Sequence, residues 1–240
     1  MNIQKVTKPA RRLLKLKRCG AVIVAAGSAS RMGGIDKIMA ELNGEPVIVH
    51  TVRAFQECPA ISEIVVVTTP DKLEKVMELC HDFGKMKAVV AGGSSRPESV
   101  TNGLNALSEK VKLAAIHDGA RPLVTWEVID RTVRAANTYG AAAPGVPVKD
   151  TVKVVAGGIV KSTPDRSTLQ AVQTPQVVDV DLLRGALQKA KEDEVNITDD
   201  CSAVEYMGMS VKMVQGDESN IKITTPLDLQ LAKVILEGRK

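Results

Sequence analysis

The stretch Ala21-Val22-Ile23-Val24-Ala25-Ala26-Gly27-Ser28-Ala29-Ser30-Arg31-Met32-Gly33-Gly34, followed closely by Asp36-Lys37, decides the fold. Ala21–Ala26 is a short, continuously apolar run, the pattern of a strand buried on both faces of a parallel sheet. It gives way at once to small residues. Such a loop after a first parallel strand lets backbone N–H groups approach a phosphate closely. No Gly-Lys-Ser/Thr follows, which excludes a P-loop, and the dinucleotide fingerprint fails at Ala29 and Met32. Arg31 and Lys37 put two cations six residues apart on one loop, an arrangement that suits a polyanion such as a triphosphate.

Further short apolar runs follow at Ile64–Val67, Ala88–Ala91, Leu113–Ile116 and Ala141–Val146. Between them the apolar residues fall at helical spacing: Ile48, Val52 and Phe55; Leu73, Val76, Met77 and Cys80; Val100, Leu104 and Leu107; Ile129, Val133 and Ala136. Strand and helix therefore alternate, which predicts an α/β, Rossmann-like fold with a mostly parallel sheet flanked by helices. Residues 147–172 break the rhythm. Two β-rich segments flank Gly157-Gly158, as in a β-hairpin arm projecting from the sheet. Beyond the arm the pattern predicts helices near Val180–Lys191 and Asp199–Met207, and strands at Val211–Val214 and Ile221–Ile223. A last helix is capped by Thr225, with Pro226 and Asp228 in its first turn and a stripe of Leu227, Leu231 and Val234.

The chain has 240 residues, and residues 19–240 are expected to form one domain. Residues 1–18 hold seven basic residues and no acid, whereas the rest carries 25 basic and 28 acidic residues. The net charge of +4 thus belongs to a basic leader, expected to be poorly ordered, and not to the fold. Only five residues are aromatic, too few for platforms that stack single-stranded bases, so no nucleic-acid partner is expected. No apolar run approaches the roughly 20 residues of a membrane span, and no secretion or transit signal is present. Cys19, Cys58, Cys80 and Cys201 form no Cys-x-x-Cys pair and the three histidines are isolated, so a zinc site is not expected. The expectation is instead of buried free thiols in a cytoplasmic protein.

Ala-Ala-Gly-x-x-x-Arg-Met at 25–32 with Lys37 resembles the start of the sugar-phosphate nucleotidyltransferases. Gly92-Gly93-Ser94-Ser95-Arg96-Pro97-Glu98-Ser99-Val100 looks like the base-binding loop of the cytidylyltransferases, and His117-Asp118-Gly119-Ala120-Arg121-Pro122 like their acidic loop. Lys149-Asp150-Thr151, Asp165-Arg166, Gln173-Thr174-Pro175-Gln176, Thr198-Asp199 and Asn220-Ile221-Lys222 match further motifs in order. Over residues 19–238 the chain most resembles the 2-C-methyl-D-erythritol 4-phosphate cytidylyltransferase family, of nucleotide-diphospho-sugar transferase type. The resemblance implies CMP transfer from CTP to methylerythritol phosphate, with Mg²⁺ or another divalent cation, in a homodimer built through the arm. It implies Arg31 and Lys37 as catalytic cations. It assigns Ala25, Ala26, Gly27, Gly93, Ser94, Ser99, Asp118 and Lys222 to the nucleotide, with Asp118 also at the metal. It assigns Arg121, Thr151, Arg166, Thr174, Thr198 and again Lys222 to the acceptor, with Thr151, Arg166 and Arg121 available to a neighbour's site. Ser94 departs from the pattern, because members commonly have Asp there.

Duller readings exist for single residues: Arg96 as a surface cation, Lys222 as the polar face of a strand, His117 as a packed residue beneath the loop. Rival functions are cytidylyl transfer to ribitol 5-phosphate and a non-catalytic nucleotide-binding module. The segment Pro164–Leu169 favours methylerythritol over ribitol, and the joint presence of Arg31, Lys37, Asp118 and Lys222 argues for catalysis.

Overall fold

The computed structural model describes residues 15–27 and 36–239. The first apolar run is strand β1 (Cys19–Val24). A short ribbon, β2 (Glu41–Leu42) and β3 (Glu45–Pro46), leads into α1 (Val47–Glu57). Strand β4 (Ile61–Thr68), α2 (Leu73–Cys80), β5 (Met86–Ala91), α3 (Arg96–Ala106), β6 (Leu113–Asp118), α4 (Trp126–Tyr139) and β7 (Ala141–Pro147) continue the alternation. The arm carries β8 (Val154–Ala156) and β9 (Ile159–Ser162), turning on Gly157 and Gly158, whose φ values of 59° and 76° favour glycine. The chain returns through β10 (Gln170–Val172), β11 (Gln176–Asp179), α5 (Val180–Glu192), α6 (Asp200–Tyr206), β12 (Lys212–Gln215) and α7 (Pro226–Glu237).

The main sheet runs β10-β7-β11-β6-β1-β4-β5, with β12 added parallel to β7. Strands β6, β1, β4 and β5 are mutually parallel, and β11 enters antiparallel between β6 and β7. Side chains alternate across the pleat and fill two cores. On one face Ile23, Ile64, Val66 and Ala115 pack under Ile48, Val52, Phe55, Val76, Ile129 and Val133 from α1, α2 and α4. On the other, Val22, Val65, Val67 and Ile116 pack under Val100, Leu104, Leu183 and Val204 from α3, α5 and α6. This two-sided burial explains why the central strands read as unbroken apolar runs.

Three local expectations are corrected. Met77 is 53% exposed, so the α2 core face is carried by Val76 and Cys80. Among the described residues Ile221–Ile223 pairs with no strand; it crosses the end of the sheet, with Ile223 N–H donating to the Ala120 carbonyl at 2.8 Å. Helix α7 starts as expected, in a capping box between Thr225 and Asp228, but it is turned the other way. Leu227, Leu231 and Val234 face outward, whereas Ala232, Leu229, Ile235 and Leu236 pack on Leu42, Val47, Leu123 and Ile223. Two apolar stripes were available on that helix, and the third core took the second.

Of the basic leader, residues 1–14 lie outside the described residues. The rest is tied to the fold: Lys17 Nζ pairs with Asp179 at 3.0 Å, and the Arg18 carbonyl accepts from Lys112 N–H and Leu113 N–H. All four cysteines are buried and unpaired.

Candidate active site

Strand β1 runs directly into Ala25–Gly27, and β6 ends on Asp118, whose Cα pairs with that of Val24. The sheet order reverses here, with β4 and β5 to one side of β1 and β6, β11 and β7 to the other. Loops leaving such a switch point part in opposite directions and open a crevice beyond the carboxyl ends of the strands. A cavity of about 380 Å³ fills it, lined by Ala25, Ala26, Gly27, Lys37, Gly93, Ser94, Ser99, Asp118 and Lys222, nine residues singled out from sequence.

Each wall has a local cause. Lys37 sits on a turn in which Asp36 Oδ1 accepts from Ile38 N–H at 3.1 Å and the Asp36 carbonyl accepts from Ala40 N–H at 2.8 Å. Lys72 anchors that turn through Asp36 at 2.9 Å, and Ile38 is buried beneath it. The Lys37 ammonium lies alongside Gly27. Arg31, the other expected cation, falls in 28–35, outside the described residues. The 92–99 loop is bound to the sheet end by Gly92 N–H donating to Thr68 O at 2.8 Å. A Cβ on Gly92 would stand 2.5 Å from Ala26 Cβ, so only glycine lets the two loops approach this closely.

Asp118 is the electrostatic centre. Its Oδ2 takes Lys222 Nζ at 3.0 Å and Arg121 Nε at 3.3 Å. Burial alone works to raise this carboxyl, but Lys222 and Arg121 outweigh it and hold it down to about 2. Arg121 is itself fixed by Nη1 donating to the Asn220 carbonyl at 2.7 Å, which brings the 220–222 segment to the site. His117, fully buried, is pushed down to about 4 by burial and is therefore neutral at physiological pH. Its Nε2 lies 3.2 Å from the Arg121 carbonyl and its Nδ1 2.9 Å from Thr174 Oγ1, which also accepts from Asp118 N–H at 3.2 Å. With Nε2 protonated, every one of these bonds is satisfied in a single tautomer. His117 braces the acidic loop from below.

The residues expected at the acceptor are brought together less completely. Arg121 and Lys222 meet at Asp118, and Thr174 is buried behind it with its hydroxyl engaged as above. Thr198 is exposed beside Ser202 in the first turn of α6. Thr151 and Arg166 are exposed at the base of the arm, where Arg166 Nη1 donates to the Lys149 carbonyl at 2.7 Å and lines a separate open depression. The surface reading of Arg96 is corrected. It lines the main cavity and forms a two-bond pair with Asp200, at 3.1 and 2.6 Å, and Asp200 is fully buried. The partners are 104 residues apart, and no local pattern announced them.

The model of the family described as 2-C-methyl-D-erythritol 4-phosphate cytidylyltransferase matches residues 19–238. The chain belongs to this family. A cytidylyltransferase of that name from Caldanaerobacter subterraneus subsp. tengcongensis is 46% identical over 221 residues, covering 90% of this chain and 97% of the relative. One from Desulforamulus reducens is 46% identical over 224 residues, covering 91% and 96%. Among solved structures, 4-diphosphocytidyl-2C-methyl-D-erythritol synthase from Anaerococcus prevotii superposes with a TM-score of 0.84 at 31% identity, over 92% of this chain and 96% of that one. The 2-C-methyl-D-erythritol 4-phosphate cytidylyltransferase of Thermus thermophilus gives 0.75 at 30% identity, over 92% and 99%. The family fold is thus the α/β, Rossmann-like one read from the alternation of strands and helices.

Proposed function

We propose that this chain transfers CMP from CTP to 2-C-methyl-D-erythritol 4-phosphate, giving 4-diphosphocytidyl-2-C-methyl-D-erythritol and pyrophosphate in non-mevalonate isoprenoid synthesis. The observation that carries this is the meeting of Lys37, Lys222, Asp118 and the 92–99 loop around one cavity at the switch point.

An oxygen of the acceptor phosphate attacks the α-phosphorus of CTP. The new O–P bond forms as the bond to the β,γ-pyrophosphate breaks. The nucleophile is already ionised at neutral pH, so no general base is required, in keeping with a neutral, engaged His117. The obstacle is repulsion between a dianion and a polyanion. Lys37, with Arg31 as its expected companion, offsets the charge that builds on the five-coordinate phosphorus. Lys222 and Arg121 lie at Asp118, where the acceptor phosphate would enter.

A divalent cation fits this site. Among the described residues no group of three or more His, Cys, Asp or Glu could cage a metal. One ionised carboxylate plus substrate phosphates is, however, how Mg²⁺ is commonly held. Lys222 and Arg121 both engage Oδ2 of Asp118, and its other oxygen is the one a metal would take. Bound there, the ion would neutralise triphosphate charge and assist the leaving pyrophosphate.

We assign Thr151, Arg166, Thr174 and Thr198 to the acceptor, Thr151 and Arg166 reaching it in a neighbouring subunit. Supporting a homodimer through the arm, Val154, Val155, Ile159 and Val160 are 48–65% exposed on a two-stranded hairpin, which is marginal alone in water. Deleting Thr151–Thr163 and bridging the gap is expected to give monomers with little activity, measured by sedimentation and pyrophosphate release. A full-length protein that sediments as a monomer at micromolar concentration would overturn the dimer. No described helix is long and apolar enough to cross a membrane, and the four buried thiols suit the cytoplasm we assign.

The reaction is tested by pyrophosphate release from CTP with methylerythritol 4-phosphate, ribitol 5-phosphate and other polyol phosphates. Fastest turnover with methylerythritol phosphate is expected. Faster turnover of ribitol phosphate would replace the acceptor, and none with any acceptor would leave a non-catalytic module.

A further inference from the structure

Three successive N–H groups of the loop between β5 and α3 are already committed inside the protein. Gly92 donates to Thr68 O at 2.8 Å, Gly93 to Ser99 Oγ at 3.1 Å, and Ser94 to Glu98 Oε2 at 2.7 Å. The Ser94 hydroxyl donates to the same Glu98 oxygen, also at 2.7 Å. Ser94 and Gly93 line the nucleotide cavity. The polar atoms of residues 92–94 not spent in these bonds are therefore acceptors: three carbonyls and the lone pairs of Ser94 Oγ.

We propose that Glu98 sets base specificity. By taking both protons of Ser94 it leaves this stretch of wall, residues 92–94, with hydrogen-bond acceptors only. Such a wall selects a pyrimidine edge bearing an amine over one bearing a carbonyl. The inference rests on the nucleotidyl-transfer reading of the site. Glu98 is a positioning residue, because it acts through Ser94.

The loop is built to hold this arrangement. Glu98 is in the first turn of α3, with its own N–H on the cap residue Ser95 at 3.3 Å. Its side chain folds back over Gly93, and a Cβ there would collide with the Glu98 side chain, so the glycine makes room for the carboxylate. Ser99 secures the loop from the other side, accepting from Gly93 and donating to Ser95 O at 2.9 Å. Bonds from Ser94 hold the Glu98 carboxyl below its ordinary range, so it is an acceptor throughout the neutral pH region. Without it, the Ser94 hydroxyl is free to rotate and its N–H is released. Both then become donors that a carbonyl edge can use.

The test compares kcat/KM for CTP and UTP, with saturating methylerythritol 4-phosphate, in wild type, Glu98→Ala and Glu98→Gln. Glu98→Ala is expected to lower the CTP/UTP ratio by about tenfold or more. Glu98→Gln retains an amide oxygen that can take both Ser94 bonds, so its ratio is expected within about threefold of wild type. If the Ala variant turns over too slowly, dissociation constants for the two nucleotides carry the same comparison. A ratio unmoved in Glu98→Ala, or Glu98→Gln falling as far as Glu98→Ala, overturns the inference while leaving the reaction intact. No pyrophosphate from either nucleotide in wild type would overturn the reaction, and this inference with it.

Discussion

In Lys37→Ala, kcat for pyrophosphate release is expected to drop by about 10²–10³-fold, with a much smaller rise in KM for CTP. The ammonium lies against Gly27 at the mouth of β1, on a turn fixed by Asp36, Lys72 and buried Ile38. On the proposed function, a charge carried by a fixed turn would have little reorganising to do as the α-phosphate gains its fifth oxygen, and that is when it would contribute most. Ground-state binding of the triphosphate would be shared with other groups, including the Mg²⁺ proposed on the nucleotide, so the loss there is expected to be diluted. The measurement is steady-state kinetics with methylerythritol 4-phosphate. Near wild-type kcat would remove Lys37 from the catalytic role.

The second large effect is on stability. Arg96→Met leaves the Asp200 carboxylate fully buried without its guanidinium. Breaking a buried pair from one side commonly costs about 3–5 kcal/mol, far more than the intact pair contributes, because the stranded charge is uncompensated. Because the Arg96 side chain is about 30% exposed, the lower end of that range is expected near pH 8. Burial already raises the Asp200 carboxyl above its ordinary value, and losing Arg96 raises it further. A carboxyl raised in the folded state binds protons more tightly there than in the unfolded chain. The deficit should accordingly shrink as pH falls through that raised value and the group neutralises. Adding Asp200→Asn to Arg96→Met should recover part of the loss at pH 8. Denaturant unfolding of the single and double variants checks this, and a loss below about 1 kcal/mol in Arg96→Met would show that Asp200 tolerates isolation. Because Arg96 also lines the cavity, KM for CTP should rise in the same variant.

The order of strands and helices, the α/β class, the arm and the cavity loops were legible in the sequence because each has a short-range cause. A strand covered on both faces must be apolar at every position, and Ala21–Ala26, Ile64–Val67 and Leu113–Ile116 are. Two loops that approach as closely as those at Ala26 and Gly92 need small residues, and a helix start needs its cap, as at Thr225. The sequence therefore determined on its own which chemistry would gather at the ends of β1 and β6. What it left to the tertiary structure were choices between locally equivalent options. Helix α7 carries two apolar stripes, and the surface made by Leu42, Val47, Leu123 and Ile223 decided which one is buried. The triplet Ile221-Lys222-Ile223 alternates like a strand, yet it is a crossing segment. Arg121, bonded to the Asn220 carbonyl, and Asp118, paired with Lys222, draw it across the sheet end. Arg96 reads locally as a surface cation and becomes the partner of a buried carboxylate because α6 delivers Asp200 from 104 residues away. Periodicity and capping act over one or two turns of chain, whereas ion pairs and core faces are settled by whichever distant surfaces the packed sheet brings together.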